Sequence, residues 1–111
     1  MNVTGFIRGY MAKNLNVNEF IERVLNTMSK EFEFNYSIKE DNEEFIITLG
    51  EYNLKIVKEE AKKLKEKGPF ALDRYILDLM QSNGFDYDIN RSQYIEYCNG
   101  IYKNCKVVKL K

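Results

Sequence analysis

The sequence predicts an α+β fold, on three observations. Apolar residues recur at helical spacing from Val17 to Lys30 and again after Pro69. Between those stretches the apolar period drops to two, from Phe32 to Ile56. Turn signals at Glu40-Asp41-Asn42-Glu43, Gly50-Glu51, Gly68-Pro69 and Asn83-Gly84 mark the changes of pattern. With 111 residues, 44% hydrophobic and 14% aromatic, the chain reads as one domain, residues 1–111, with a modest core rather than as a disordered segment. The expected order is two N-terminal helices, an antiparallel β-meander, two further helices, and a C-terminal β-hairpin or, in its place, a helix plus a strand. With the hairpin, the last three elements would be winged-helix-like.

Taken in order, Phe6, Ile7, Tyr10 and Met11 share one face of a short helix over Val3–Lys13, which Gly5 and Gly9 weaken. The second helix starts better. Asn16 is placed to cap, Glu19 completes a capping box, and Leu15 and Phe20 stand at the staple positions. Phe20, Ile21, Val24, Leu25 and Met28 form its buried stripe. Phe32, Phe34, Tyr36 and Ile38 then alternate with polar residues as a first strand, Phe45, Ile47 and Leu49 as a second, and Tyr52, Leu54 and Ile56 as a third.

Val57, Ala61 and Leu64 carry a helical stripe through a Lys/Glu-rich segment that stops at Gly68-Pro69. Leu72, Tyr75, Ile76, Leu79 and Met80 mark the core face of the next helix, with Phe85 placed to pack back under a Gly84 cap. The last stretch reads two ways. As a helix, Asn90 caps, Gln93 completes the box, and Tyr94, Tyr97, Cys98 and Ile101 line one face. As a hairpin, Asn99-Gly100 is a type I′ turn that sets Tyr97 against Tyr102 and Glu96 against Lys103. The hairpin is the preferred reading.

The residue inventory narrows the chemistry. The chain has no histidine, which removes Ser–His and Cys–His nucleophile pairs and every His-containing metal site. No phosphate-cradling glycine motif is present. Asp86-Tyr87-Asp88-Ile89-Asn90-Arg91-Ser92 begins like a calcium loop, but has Arg91 where the sharp turn needs Gly and Tyr97 where the bidentate Glu belongs. Cys98 and Cys105 are too few for a disulfide framework and read as inert thiols. No apolar run approaches the roughly 18 residues of a membrane span. The expectation is a cytoplasmic, non-enzymatic protein with no cofactor and no bound metal.

Charge distribution says more than its total of zero. Residues 31–52 hold one positive and seven negative side chains, a net of −6, and residues 69–89 hold one and four, a net of −3. Residues 90–111 hold five and one, a net of +4. A phosphate backbone would be met by the last segment. The first expectation is therefore a winged-helix-type DNA-binding or regulatory protein, acting as a homodimer on double-stranded DNA. Arg91, Asn99, Tyr102, Lys103, Lys106 and Lys109 would form its wing contacts. The alternative is a protein-binding module or inhibitor that takes a basic protein partner on the acidic hairpin, through Glu40, Asp41, Glu43 and Glu44.

A second place for DNA contact is Tyr10 to Asn26. It resembles the helix-turn-helix of bacterial repressors, with Ala12, Leu15, Asn16-Val17 and Val24-Leu25 where small, apolar, turn and apolar residues belong. It departs in placing polar Glu22 where an apolar anchor is expected, and exposed Glu19 and Glu22 would repel phosphate.

Overall fold

The structure, a computed structural model, describes residues 3–101, with side chains from residue 7 onward. It is α+β: helices α1 (Val3–Asn14) and α2 (Val17–Phe32), strands β1 (Tyr36–Glu40), β2 (Glu44–Leu49) and β3 (Tyr52–Val57), then helices α3 (Lys58–Lys67), α4 (Ala71–Ser82) and α5 (Gln93–Cys98). The strands form an antiparallel meander in the order β1-β2-β3, with Ile38 opposite Ile47 and Ile47 opposite Leu54. One sheet face buries Phe45, Ile47, Leu49, Leu54 and Ile56 with the stripes of α2 and α4. The other leaves Lys39, Ile46, Asn53 and Lys55 outward, as period-two alternation requires.

The strongest local signal is realised in full. The Asn16 side chain accepts from the Glu19 N–H at 2.9 Å while the Glu19 carboxylate accepts from the Asn16 N–H, closing the capping box. The stripe Phe20, Ile21, Val24, Leu25 and Met28 is wholly buried. This helix runs two residues past its expected end. Glu33 takes a left-handed conformation (φ 58°) and the Phe34 N–H reaches back to the Ser29 carbonyl, so Phe32 ends a helix rather than starting a strand. The first strand accordingly begins at Tyr36, not Phe32.

The preferred hairpin reading of the C-terminal stretch is corrected. Residues 93–98 are helical, capped by Ser92, whose hydroxyl accepts from the Ile95 N–H at 3.2 Å, rather than by Asn90. Asn99-Gly100 ends that helix. Gly100 is left-handed (φ 78°), its N–H reaches the Tyr97 carbonyl, and the Ile101 N–H reaches the Glu96 carbonyl at 2.8 Å. This is a Schellman closure, and the same glycine conformation serves it as would serve a type I′ turn. Burial decides between them: as a helix the segment puts Ile95, Tyr97 and Cys98 into the core beside α4. The winged-helix arrangement thereby loses the first strand of its wing. Tyr102, Lys103, Lys106 and Lys109 lie outside the described residues, as does Cys105.

Helix α1 also departs from its expected face. Ile7 and Tyr10 are exposed, at 43% and 64%, while Arg8 is buried. The helix is rolled so that a cation points inward, because its counter-ion lies on α4. Val57, expected in the stripe of the third helix, ends β3 and is exposed.

Candidate binding surface

Three places concentrate polar or aromatic side chains, and each has a different job. The first is internal. The Arg8 guanidinium is ion-paired with Asp73, which is wholly buried on α4, and it also donates to the Pro69 carbonyl at 3.2 Å. The Tyr94 hydroxyl of α5 donates to the other Asp73 oxygen. Arg8 lies 4.9 Å above Phe70, with Phe20 and Tyr94 further off at 5.7 and 5.9 Å. Burial pushes the Asp73 carboxyl up, with Arg8 and Tyr94 pulling against it, and burial with the nearby Asp73 carboxylate pushes the Tyr94 hydroxyl well up. Cys98 stands beside this group, and burial raises its thiol so far that the thiolate is disfavoured. Arg8, Asp73 and Cys98 are buried and Tyr94 half-buried, and the cluster ties α1, α4 and α5 together.

The second place is the predicted acidic tip, and there the structure spends the acids on itself. Glu40 pairs with Lys58 at 2.7 Å and accepts from Asn18 at 2.8 and 3.0 Å; the Lys58 bond holds its carboxyl below the usual range. Asp41 accepts from the Glu43 and Glu44 N–H groups, both at 2.8 Å, which lowers its pKa and shapes the turn. Lys55 and Lys58 both act on Asp41. Glu43 and Glu44 remain, on a tip where Lys58 pairs with one of the four carboxylates.

The third place was not predicted as a site. At the opposite end of the sheet, about 17 Å away for a strand of this length, the β2–β3 turn brings Tyr52 against Phe34 and Phe85. Phe32 meets Phe85 edge-on at 5.0 Å, Phe34 and Tyr52 meet Phe85 at 5.8 and 5.6 Å, and Tyr87 stacks on Phe85 at 5.9 Å. All five rings are half-buried. Gly50 allows the assembly: it is left-handed (φ 61°), and a Cβ there would stand 3.0 Å from Phe34.

Next to these rings in the sequence are exposed Glu33, Glu51, Asp86 and Asp88, drawn from the two most acidic stretches of the chain. Within two residues of a ring the sequence has five acids (those four and Glu31) against one base, Lys30. Asp86 and Asp88 accept from the Tyr87 and Asn90 N–H groups at 2.9 Å, holding the loop beside the rings.

Arg91, expected on a wing, belongs here. Its Nε donates to Glu31 at 2.7 Å, an Nη donates to the Glu31 carbonyl at 3.1 Å, and its guanidinium lies 4.6 Å above Phe32. Asn99, also expected on the wing, turns inward and donates to the Ile95 carbonyl at 2.9 Å and the Tyr87 hydroxyl at 3.3 Å. The sequence signal that could have found this surface is the convergence of aromatic residues with acids in both negative stretches; the third dimension joins them.

No protein-family model, curated protein or solved structure matches the chain. The functional reading therefore rests on these residues alone. Among the described residues no group of three or more His, Cys, Asp or Glu side chains is placed to hold a metal ion, and no helix is long and apolar enough to cross a membrane. A cleft of about 450 Å³ between α3, α4 and α5 has Lys67, Arg74 and Asp78 as its charged wall, and Arg74 is already bonded to Asp78 at 3.0 Å.

Proposed function

We propose that this chain is a non-enzymatic binding module that captures a positively charged protein partner. The observation that carries the reading is the collection of Glu33, Glu51, Asp86 and Asp88 at one end of the sheet, exposed and without an ion pair among the described residues. Exposed carboxylates gathered on one side attract a basic surface and speed its approach. The buried Cys98 thiol and the inward use of Asp73 leave those groups to structure rather than to catalysis.

Anisotropy of a labelled hexalysine peptide at low salt tests this. Binding should weaken when Glu33, Glu51 and Asp86 are changed to Lys, and should survive Glu43→Lys with Glu44→Lys. No binding to the native protein, or binding lost only with the tip variant, refutes it.

A second reading keeps one favourable observation, the net +4 of residues 90–111. In it the chain is a homodimer that holds duplex DNA through Lys103, Lys106 and Lys109. Each phosphate contact contributes about 0.9 to the slope of log affinity against log salt, so neutralising the three lysines should flatten that slope by up to about 2.7. A duplex gel shift that is absent, or indifferent to these lysines, ends this reading.

A further inference from the structure

We infer that the ring cluster at the β2–β3 end of the sheet is a docking surface for an arginine-bearing segment of a partner protein. The inference rests on the protein-binding reading above and adds the side chain that is recognised.

Arg91 demonstrates the recognition within the chain itself. A carboxylate takes one guanidinium N–H of Arg91, a carbonyl takes another, and the planar group lies over an aromatic face. The next rings along, Phe34, Tyr52, Phe85 and Tyr87, repeat the ingredients without the cation. They are half-buried, with Phe34 and Tyr52 edge-on to Phe85 and Tyr87 stacked on it, and Glu33, Glu51 and Asp86 are exposed next to them in the sequence. Among the described residues no Lys or Arg stands over any of these four rings. A negative ring face and a neighbouring carboxylate attract the same kind of group from two directions.

Arginine fits better than lysine. Its guanidinium is planar, weakly hydrated and able to bond a carboxylate while stacked, whereas an ammonium gives up more hydration and has no flat face. Phosphate-bearing partners are disfavoured by the acids at the rim, since nucleic acids and anionic lipid surfaces would meet four exposed carboxylates first.

The test compares hexaarginine with hexalysine, equal in charge and length, by anisotropy at neutral pH on the native chain. Hexaarginine should bind about two- to fivefold tighter, the size of one exposed cation–π contact. Phe34→Leu with Tyr87→Leu keeps the apolar bulk and removes two π faces, and should bring the ratio close to one while sparing hexalysine affinity. Glu33→Gln with Glu51→Gln and Asp86→Asn alters only exposed groups and should weaken both peptides together. Because the leucine pair could destabilise the fold, aromatic NMR shifts of the native chain provide a second measurement; hexaarginine should move Phe34, Tyr52, Phe85 and Tyr87.

Equal affinity for the two peptides overturns the inference and leaves the general reading standing. Binding of neither overturns both. Shifts confined to other rings, or self-association through this face in place of peptide binding, also overturn it.

Discussion

Replacing Arg8 by Met tests how the helices are held against one another. Methionine retains apolar length against Phe70 and removes the charge and the donors. Asp73, wholly buried, would then keep Tyr94 as its side-chain donor and have lost its counter-ion. Stranding one member of a buried ion pair costs about 3–5 kcal/mol. A small domain holds about 5–15 kcal/mol in all and loses roughly 4–8 °C of Tm per kcal/mol, so R8M should melt at least about 12 °C lower.

Proton uptake by Asp73 gives the loss a pH dependence. Burial already raises this carboxyl with Arg8 present, and without Arg8 it rises further. A folded-state pKa above the unfolded value, about 3.9, leaves stability intact at lower pH and removes it as pH rises through the folded value. The R8M deficit should therefore be larger at pH 8 than at pH 5, and the R8M/D73N double variant should lose that difference. Replacing the pair by Met and Leu together should cost less than R8M alone, because no charge is then left in the core. Urea denaturation followed by circular dichroism at the two pH values measures all of this. An R8M deficit below about 1 kcal/mol, or one equal at both pH values, would refute the assignment of Arg8–Asp73 as the tie between α1 and α4.

Other perturbations follow from single features of the fold. Gly50→Ala should cost more than Gly84→Ala in thermal melts. Both positions are left-handed, but an added Cβ meets Phe34 at 3.0 Å at the first and nothing within 4 Å at the second. Asn16→Ala removes the oxygen that accepts from Glu19 and should lower stability by about 1 kcal/mol in urea titrations, with Asn16→Asp restoring most of it. Cys98 should resist iodoacetamide in the folded chain and react in denaturant, read by mass spectrometry of its peptide, because burial both encloses the thiol and disfavours its thiolate.

Much of the fold is legible in the residues because the relevant forces are local. The box between Asn16 and Glu19 needs only a three-residue spacing, and the alternation from Phe45 to Ile56 places five apolar side chains on one face whatever they pack against. The stop at Gly68-Pro69 and the Phe85 return after Gly84 are equally short-range; the Phe85 N–H bonds the Met80 carbonyl at 3.0 Å. The candidate sites were less legible. Glu40 and Asp41 looked available by sequence because nothing nearby in the chain says that Lys58, 18 residues on, will neutralise one while the turn amides occupy the other.

The α+β class, the strand alternation, the second helix with its cap and the lack of histidine chemistry are all written in residue order and type. Three further matters depend on which parts of the chain pack together. Arg8 reads as a solvent-side charge in its own helix and becomes a core residue because Asp73, 65 residues away, lies opposite. Asn99-Gly100 supports a hairpin or a helix end, since both use a left-handed glycine, and burial of Ile95, Tyr97 and Cys98 beside α4 selects the helix. Phe32 and Phe34 read as strand residues, but α2 runs on through Phe32 and Phe34 lies between that helix and β1. The chain reversal at Glu33 and the close approach that Gly50 permits then gather five rings from three parts of the chain, with their acids, into one surface. Spacing along a chain specifies which groups share a face; which faces meet is settled by the packing of the whole.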